Sequence, residues 1–184
     1  MTILRKFVLT VLAACLWAPV AGAEEPGLFE RLELRNHAKL AEVRKGAELA
    51  PFTTDGCSGG MSATWSLVAR MFPDFEDIHL ETPPWQGCCV THDRAYHLGN
   101  ADPAPEASFA ARLAADEALA ACVTAVAEDR RAVLQSEYGM SDAQIDMAYR
   151  LIGSAMYDAV RFGGGPCSGL PWRWGYGWPQ CLLE

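Results

Sequence analysis

Positive charge is in short supply in this chain of 184 residues: 15 Lys and Arg face 23 Asp and Glu, a formal net charge of −8. A nucleic-acid partner is excluded on that balance, because a polyanion needs a basic footprint, and a strongly anionic membrane is disfavoured for the same reason. Internal repeats and low-complexity linkers are absent, and nothing marks a second domain. The one long apolar run, Phe7 to Val20, follows Arg5 and Lys6 and precedes Ala21-Gly22-Ala23. That is the layout of a secretory signal with a small-x-small cleavage site, not of a membrane span.

Cleavage after Ala23 is therefore expected, leaving residues 24–184 as a single domain large enough for a real core. A rival is lipoprotein processing at Leu12-Ala13-Ala14-Cys15, which would leave the apolar Leu16 and Trp17 beside the lipidated cysteine. Losing Arg5 and Lys6 with no acid takes the charge from −8 to −10. Of the 7 cysteines, removal of Cys15 leaves Cys57, Cys88, Cys89, Cys122, Cys167 and Cys181. An even set in an exported chain reads as three disulfides, with the pairing open from count alone. The protein is expected to be secreted or periplasmic.

The chemistry concentrates in Gly87-Cys88-Cys89-Val90-Thr91-His92-Asp93-Arg94-Ala95-Tyr96. On a helix each residue turns the chain by roughly 100°, so Cys89, His92, Asp93 and Tyr96 share a stripe while Cys88 points elsewhere. His92 is a candidate base and Asp93 a candidate ligand for a hard cation. The same residues also read as a disulfide-anchored helix whose His and Asp meet solvent.

Leu28 to Leu49 has amphipathic helical spacing, with His37 read as a surface residue and Pro51 as the stop. Phe52 to Gly60 is a loop whose glycines can turn backbone groups around an ion or make a tight turn. Ser62 is placed to cap a short helix through Phe72, and Pro73 to Pro84 reads as a polar connection in which His79 has no evident partner. A helix from Glu106 to about Glu128 carries Asp116 in the middle of its apolar face. Such a carboxylate needs a donor, since desolvation costs several kcal/mol. Either Arg112, four residues earlier, holds it locally, or it reaches His92 on an antiparallel neighbour that Cys122 is placed to bridge. A last helix runs from Ser141 to Phe162; Tyr149 and Tyr157 read as core or edge aromatics whose hydroxyls can support a buried carboxylate. The tail between Cys167 and Cys181, with Trp172, Trp174, Tyr176 and Trp178, either anchors at a lipid headgroup layer or lies over the core.

The pattern C-C-x-x-H-D-x-x-Y (Cys88, Cys89, His92, Asp93, Tyr96), preceded by a Gly/Cys loop and followed by Asp116 six residues before Cys122, resembles the secreted phospholipase A2 superfamily. The likeness covers roughly Phe52 to Val126. It implies an all-α, phospholipase A2-like fold: two antiparallel, disulfide-linked helices carrying the site, a Gly/Cys calcium loop and additional helices. It implies the pairs Cys57–Cys89 and Cys88–Cys122, leaving Cys167 with Cys181. Many family members carry a further bridge where this chain has Ala95 and Ala115, so both halves of that bridge are absent together. The stretch from Cys57 to Cys88 is longer than in the common venom and pancreatic types.

By the same resemblance, His92 activates water, Asp116 orients its imidazole and Tyr96 hydrogen-bonds Asp116. Asp93 with the carbonyls of Gly56, Ser58 and Gly60 holds Ca²⁺. The implied activity is calcium-dependent hydrolysis of the sn-2 ester of glycerophospholipids, with a phospholipid or membrane surface as partner. The alternative is a secreted module of the same scaffold that binds a lipid or a protein with little or no catalysis. A zinc site at Cys88, Cys89 and His92 fits poorly, because adjacent cysteines rarely reach one tetrahedral metal.

Overall fold

The structure, a computed structural model, describes residues 27–57 and 61–182. The expected signal peptide and both processing sites lie outside the described residues, as do Ser58 and Gly60 of the loop. Among the described residues there are six helices and no strand: α1 Leu28–Arg44, α2 Met61–Met71, α3 Pro73–His79, α4 Gln86–Leu98, α5 Pro105–Tyr138 and α6 Asp142–Gly163. None of these helices is long and apolar enough to cross a membrane. Among the described residues three disulfides close the chain, Cys57–Cys89, Cys88–Cys122 and Cys167–Cys181, as suits an oxidising compartment.

α4 ends at Gly99, whose φ of 67° is a left-handed cap that costs glycine nothing. The chain then turns at Asn100 and enters α5 through Pro105, where a missing N–H is harmless. α4 and α5 run antiparallel. Cys88 bonds Cys122, His92 meets Asp116 and Tyr96 meets Arg112, so partners descend on one helix as they rise on the other. α5 and α6 form a second antiparallel pair. Gly153 makes their close approach possible, since a Cβ there would lie 2.8 Å from the Ala120 carbonyl oxygen. Ser141 caps α6 in a reciprocal capping box with Gln144.

Several local expectations yield to tertiary contacts. α5 does not stop near Glu128 but continues to Tyr138, because α6 packs along this extension: Leu134 is buried, and Arg131 forks to Asp142 and Asp146. Residues 73–79 are a short helix, not a connection; Phe75 packs on Trp65, and the His79 ring accepts or donates a 2.8 Å hydrogen bond with the Tyr138 hydroxyl. Ser62 is inside α2, where its hydroxyl accepts the Cys57 N–H at 2.8 Å. α1 stops at Arg44, and the following residues run out until Ala50 N–H bonds the Gly177 carbonyl of the tail. His37 is not at the surface. It is 1 % exposed, hydrogen-bonded to Ser108 at 2.8 Å and edge-on to Phe109 and Trp174; burial pushes its pKa below the usual imidazole value.

Two apolar clusters hold the frame. Trp85, Leu119, Val123, Ile145 and Tyr149 fill the space among α4, α5 and α6, and each such side chain contributes roughly 1.5–3 kcal/mol on burial. Leu40, Tyr96 and Trp174 tie α1, α4 and the tail together beside Cys167–Cys181. The tail crosses the end of α4 through Gly175 N–H to the Tyr96 carbonyl at 2.6 Å and Gly177 N–H to the His97 carbonyl. Trp174 is therefore a core residue, its indole N–H donating to Ser108 at 2.9 Å.

Candidate active site

Asp116 is fully buried on α5, and it meets three hydrogen-bond partners from two neighbouring helices. Its Oδ1 lies 2.9 Å from His92 Nε2 and accepts the Tyr96 hydroxyl at 2.7 Å, both from α4. Its Oδ2 accepts Arg161 Nη1 of α6 at 3.0 Å. Arg112 Nε stands 3.9 Å from Oδ2 and donates instead to the Tyr96 oxygen at 3.1 Å. Both sequence readings of Asp116 thus meet in one cluster: the across-helix partner makes the shorter bond, and the same-helix arginine acts mainly through Tyr96. Neither Tyr149 nor Tyr157 is among the partners of Asp116 in the described residues; Tyr149 packs on Trp85.

Arg112 is also fully buried. Its Nη2 donates to the carbonyls of Val160 and Arg161 at 2.7 and 2.9 Å, and its Nη1 donates to Glu33 of α1. Glu33 also accepts Arg161 Nη2 at 3.1 Å. Burial alone would raise the Glu33 pKa, but the His37 hydrogen bond and the charges of Arg112 and Arg161 outweigh it and bring it down to about 2. Two cations and two anions are therefore balanced behind the imidazole. Burial keeps the Tyr96 phenol far above its ordinary range, so it remains a neutral donor. Arg161 and Glu33 were invisible in the sequence: Arg161 is 45 residues from Asp116, on a helix whose other polar residues give no hint of it.

The other imidazole nitrogen, Nδ1, is 4.0 Å from Asp93 Oδ1. His92 and Asp93 both line an open chamber of about 220 Å³ whose remaining wall is mostly apolar: Met61, Leu119, Met156, Val160 and Trp172. Asp93 is 8 % exposed and accepts the Thr54 hydroxyl at 2.6 Å. Its pKa is raised, first by burial and further by Asp55, against the Thr54 bond and His92. A buried carboxylate so short of positive charge is suited to a cation. The loop beside it is shaped by Gly56, at φ 79°, where a Cβ would meet the Ser62 hydroxyl at 2.7 Å. Among the described residues no three His, Cys, Asp or Glu side chains form a metal cluster. A site of one carboxylate with backbone and water oxygens is a different donor set, and the oxygen-only chemistry at Asp93 and Gly56 fits a hard ion such as Ca²⁺. Zinc at Cys88, Cys89 and His92 does not fit, since both sulfurs are in disulfides.

Against protein-family models, curated proteins and solved structures, the chain has no match.

Proposed function

We propose that the chain is an exported, calcium-dependent phospholipase A2-like hydrolase that cleaves the sn-2 ester of glycerophospholipids. The observation that carries this reading is the His92–Asp116 pair, with its second ring nitrogen left over, in the wall of an apolar chamber. His92 Nε2 is engaged by a buried carboxylate, which selects the tautomer with the proton on Nε2 and leaves Nδ1 as the base. Nδ1 takes a proton from water as the water attacks the ester carbonyl, and later gives it to the leaving alcohol. Asp116 stabilises the imidazolium between those steps, and Tyr96 and Arg161 keep the carboxylate aimed. Asp93 with the carbonyls of Gly56, Ser58 and Gly60 would hold Ca²⁺, which when bound polarises the carbonyl and offsets oxyanion charge. The apolar chamber takes an acyl chain.

The test is fatty-acid release from zwitterionic phospholipid micelles by residues 24–184, with calcium and with excess chelator, beside His92→Gln. Release that requires both calcium and His92 is expected. Absence of release from the folded, fully oxidised protein overturns the assignment in favour of the binding module.

A further inference from the structure

A second hollow, of about 340 Å³, adjoins the apolar chamber and shares Asp93 and Trp172 with it. Its other walls include Thr54, Asp55 and Tyr176. One chamber is apolar and contains the imidazole; its neighbour is acidic and aromatic. A molecule lying across the shared edge would put a greasy part in the first and a cationic part in the second.

Both aromatic walls are held in place. The Tyr176 hydroxyl donates to the Thr53 carbonyl at 2.6 Å, and its ring packs edge-to-face on His97 at 5.1 Å. Trp172 lies against Gly163 at the end of α6, so closely that a Cβ there would come within 2.4 Å of the ring. These rings cost little entropy to use, because they are ordered before a ligand arrives. With Asp93 given to the metal, the hollow still has the Asp55 carboxylate in its wall, and the Arg94 guanidinium is stacked on Phe52, 4.5 Å from its centroid.

Fixed indole and phenol rings beside a carboxylate recognise a soft cation. A quaternary ammonium has no N–H to satisfy and gains from ring faces and a nearby negative charge. A primary ammonium must give up strong hydrogen bonds to water that ring faces do not replace, whereas a quaternary ammonium gives up none. An anionic headgroup has no cationic donor among the lining residues, and a neutral polyol offers the rings and Asp55 no charge to attract. We infer that the hollow bounded by Trp172, Tyr176 and Asp55 is a headgroup subsite for quaternary ammonium, so that choline-headed phospholipids are the favoured substrates. This rests on the hydrolase reading for the word substrate, but not for the binding itself.

Two readouts separate the two ideas. In the first, the Trp172 indole N–H resonance is followed by NMR in saturating calcium while phosphocholine is added, with inorganic phosphate as the comparison. A saturable shift with phosphocholine alone, weakened by about tenfold in Tyr176→Leu and in Asp55→Asn, is expected from the loss of one desolvated cation–π or charge contact. In the second, hydrolysis of choline-, ethanolamine- and glycerol-headed phospholipids is compared in micelles of one neutral detergent. The choline lipid is expected to lead by about tenfold in kcat/KM, with the lead removed in Tyr176→Leu. An equal shift with inorganic phosphate, or no shift, overturns the subsite even if hydrolysis is robust. Equal rates on all three headgroups also overturn it. A phosphocholine shift with no hydrolysis of any lipid upholds the subsite and overturns the hydrolase.

Discussion

Replacing Arg112 by methionine isolates the energetics of the cluster behind the candidate dyad. The guanidinium is fully buried and binds Glu33, the Tyr96 oxygen and two α6 carbonyls, so it joins four helices at one point. Methionine keeps most of the volume and removes the charge. Val160 O would keep its bond from Gly164 N–H, but Arg161 O would lose a donor, and Glu33 and Asp116 would share Arg161 alone. Breaking a buried ion pair from one side typically costs ~3–5 kcal/mol, because the remaining charge is left uncompensated. At about 2–4 °C per kcal/mol for a domain of this size, the melting midpoint should fall by roughly 6–20 °C. The assay is thermal unfolding followed by circular dichroism at pH 7 with the disulfides intact. The double variant with Glu33→Gln restores charge balance, so it should lose less than the two single losses added together. A fall of under about 3 °C in the single variant, or strict additivity in the double, would refute the view of this cluster as one coupled charge network.

Acid should destabilise the protein in two stages. Because the folded His37 pKa lies below 6.5, the unfolded chain takes up its proton first and stability falls as pH drops below about 6.5; Glu33, folded at about 2, contributes stability above pH 4.5 that is lost as pH falls toward 2. Urea midpoints between pH 7 and 3 check this, and a flat profile contradicts it. Asp93→Asn should melt higher than the parent in chelator, since the raised carboxylate pKa means that its charge is held at a cost near neutral pH, and added calcium should no longer raise its midpoint. A lower midpoint in chelator would place the cost elsewhere. Finally, Ala95 and Ala115 line one small cavity of about 130 Å³ between α4 and α5. Ala95→Cys with Ala115→Cys should close a fourth disulfide and stabilise by ~2–4 kcal/mol; two free thiols on mass analysis after oxidation would show that the pair does not face.

The helix pair was legible because its signals are local and repeat on both partners. Cys88, Cys89, His92, Asp93 and Tyr96 have a helical spacing that fixes their relative directions, and the Asp116-to-Cys122 interval answers it on α5. The pairing Cys57–Cys89 and Cys88–Cys122 followed from the resemblance, and the structure has the same pairs. What failed was reasoning about exposure. His37 sits among charges on an amphipathic helix, a setting that reads as surface, yet Ser108 and Trp174 from two distant segments cover it. The extension of α5 and the existence of α3 had weak local support and depend on α6 and on Trp65.

By itself, then, the sequence determined an acidic, helical, disulfide-closed chain and the helix phase on which His92, Asp93 and Tyr96 stand, because composition, cysteine spacing and helical period are properties of neighbouring residues. Only the tertiary structure decided that Asp116 is shared by His92, Tyr96 and Arg161, that Glu33 balances two arginines behind it, and that an apolar and an acidic aromatic chamber meet at Asp93 and Trp172. Those relations join residues far apart in the chain. Their geometry comes from the packing of α1, α4, α5, α6 and the tail against one another, which no single segment encodes.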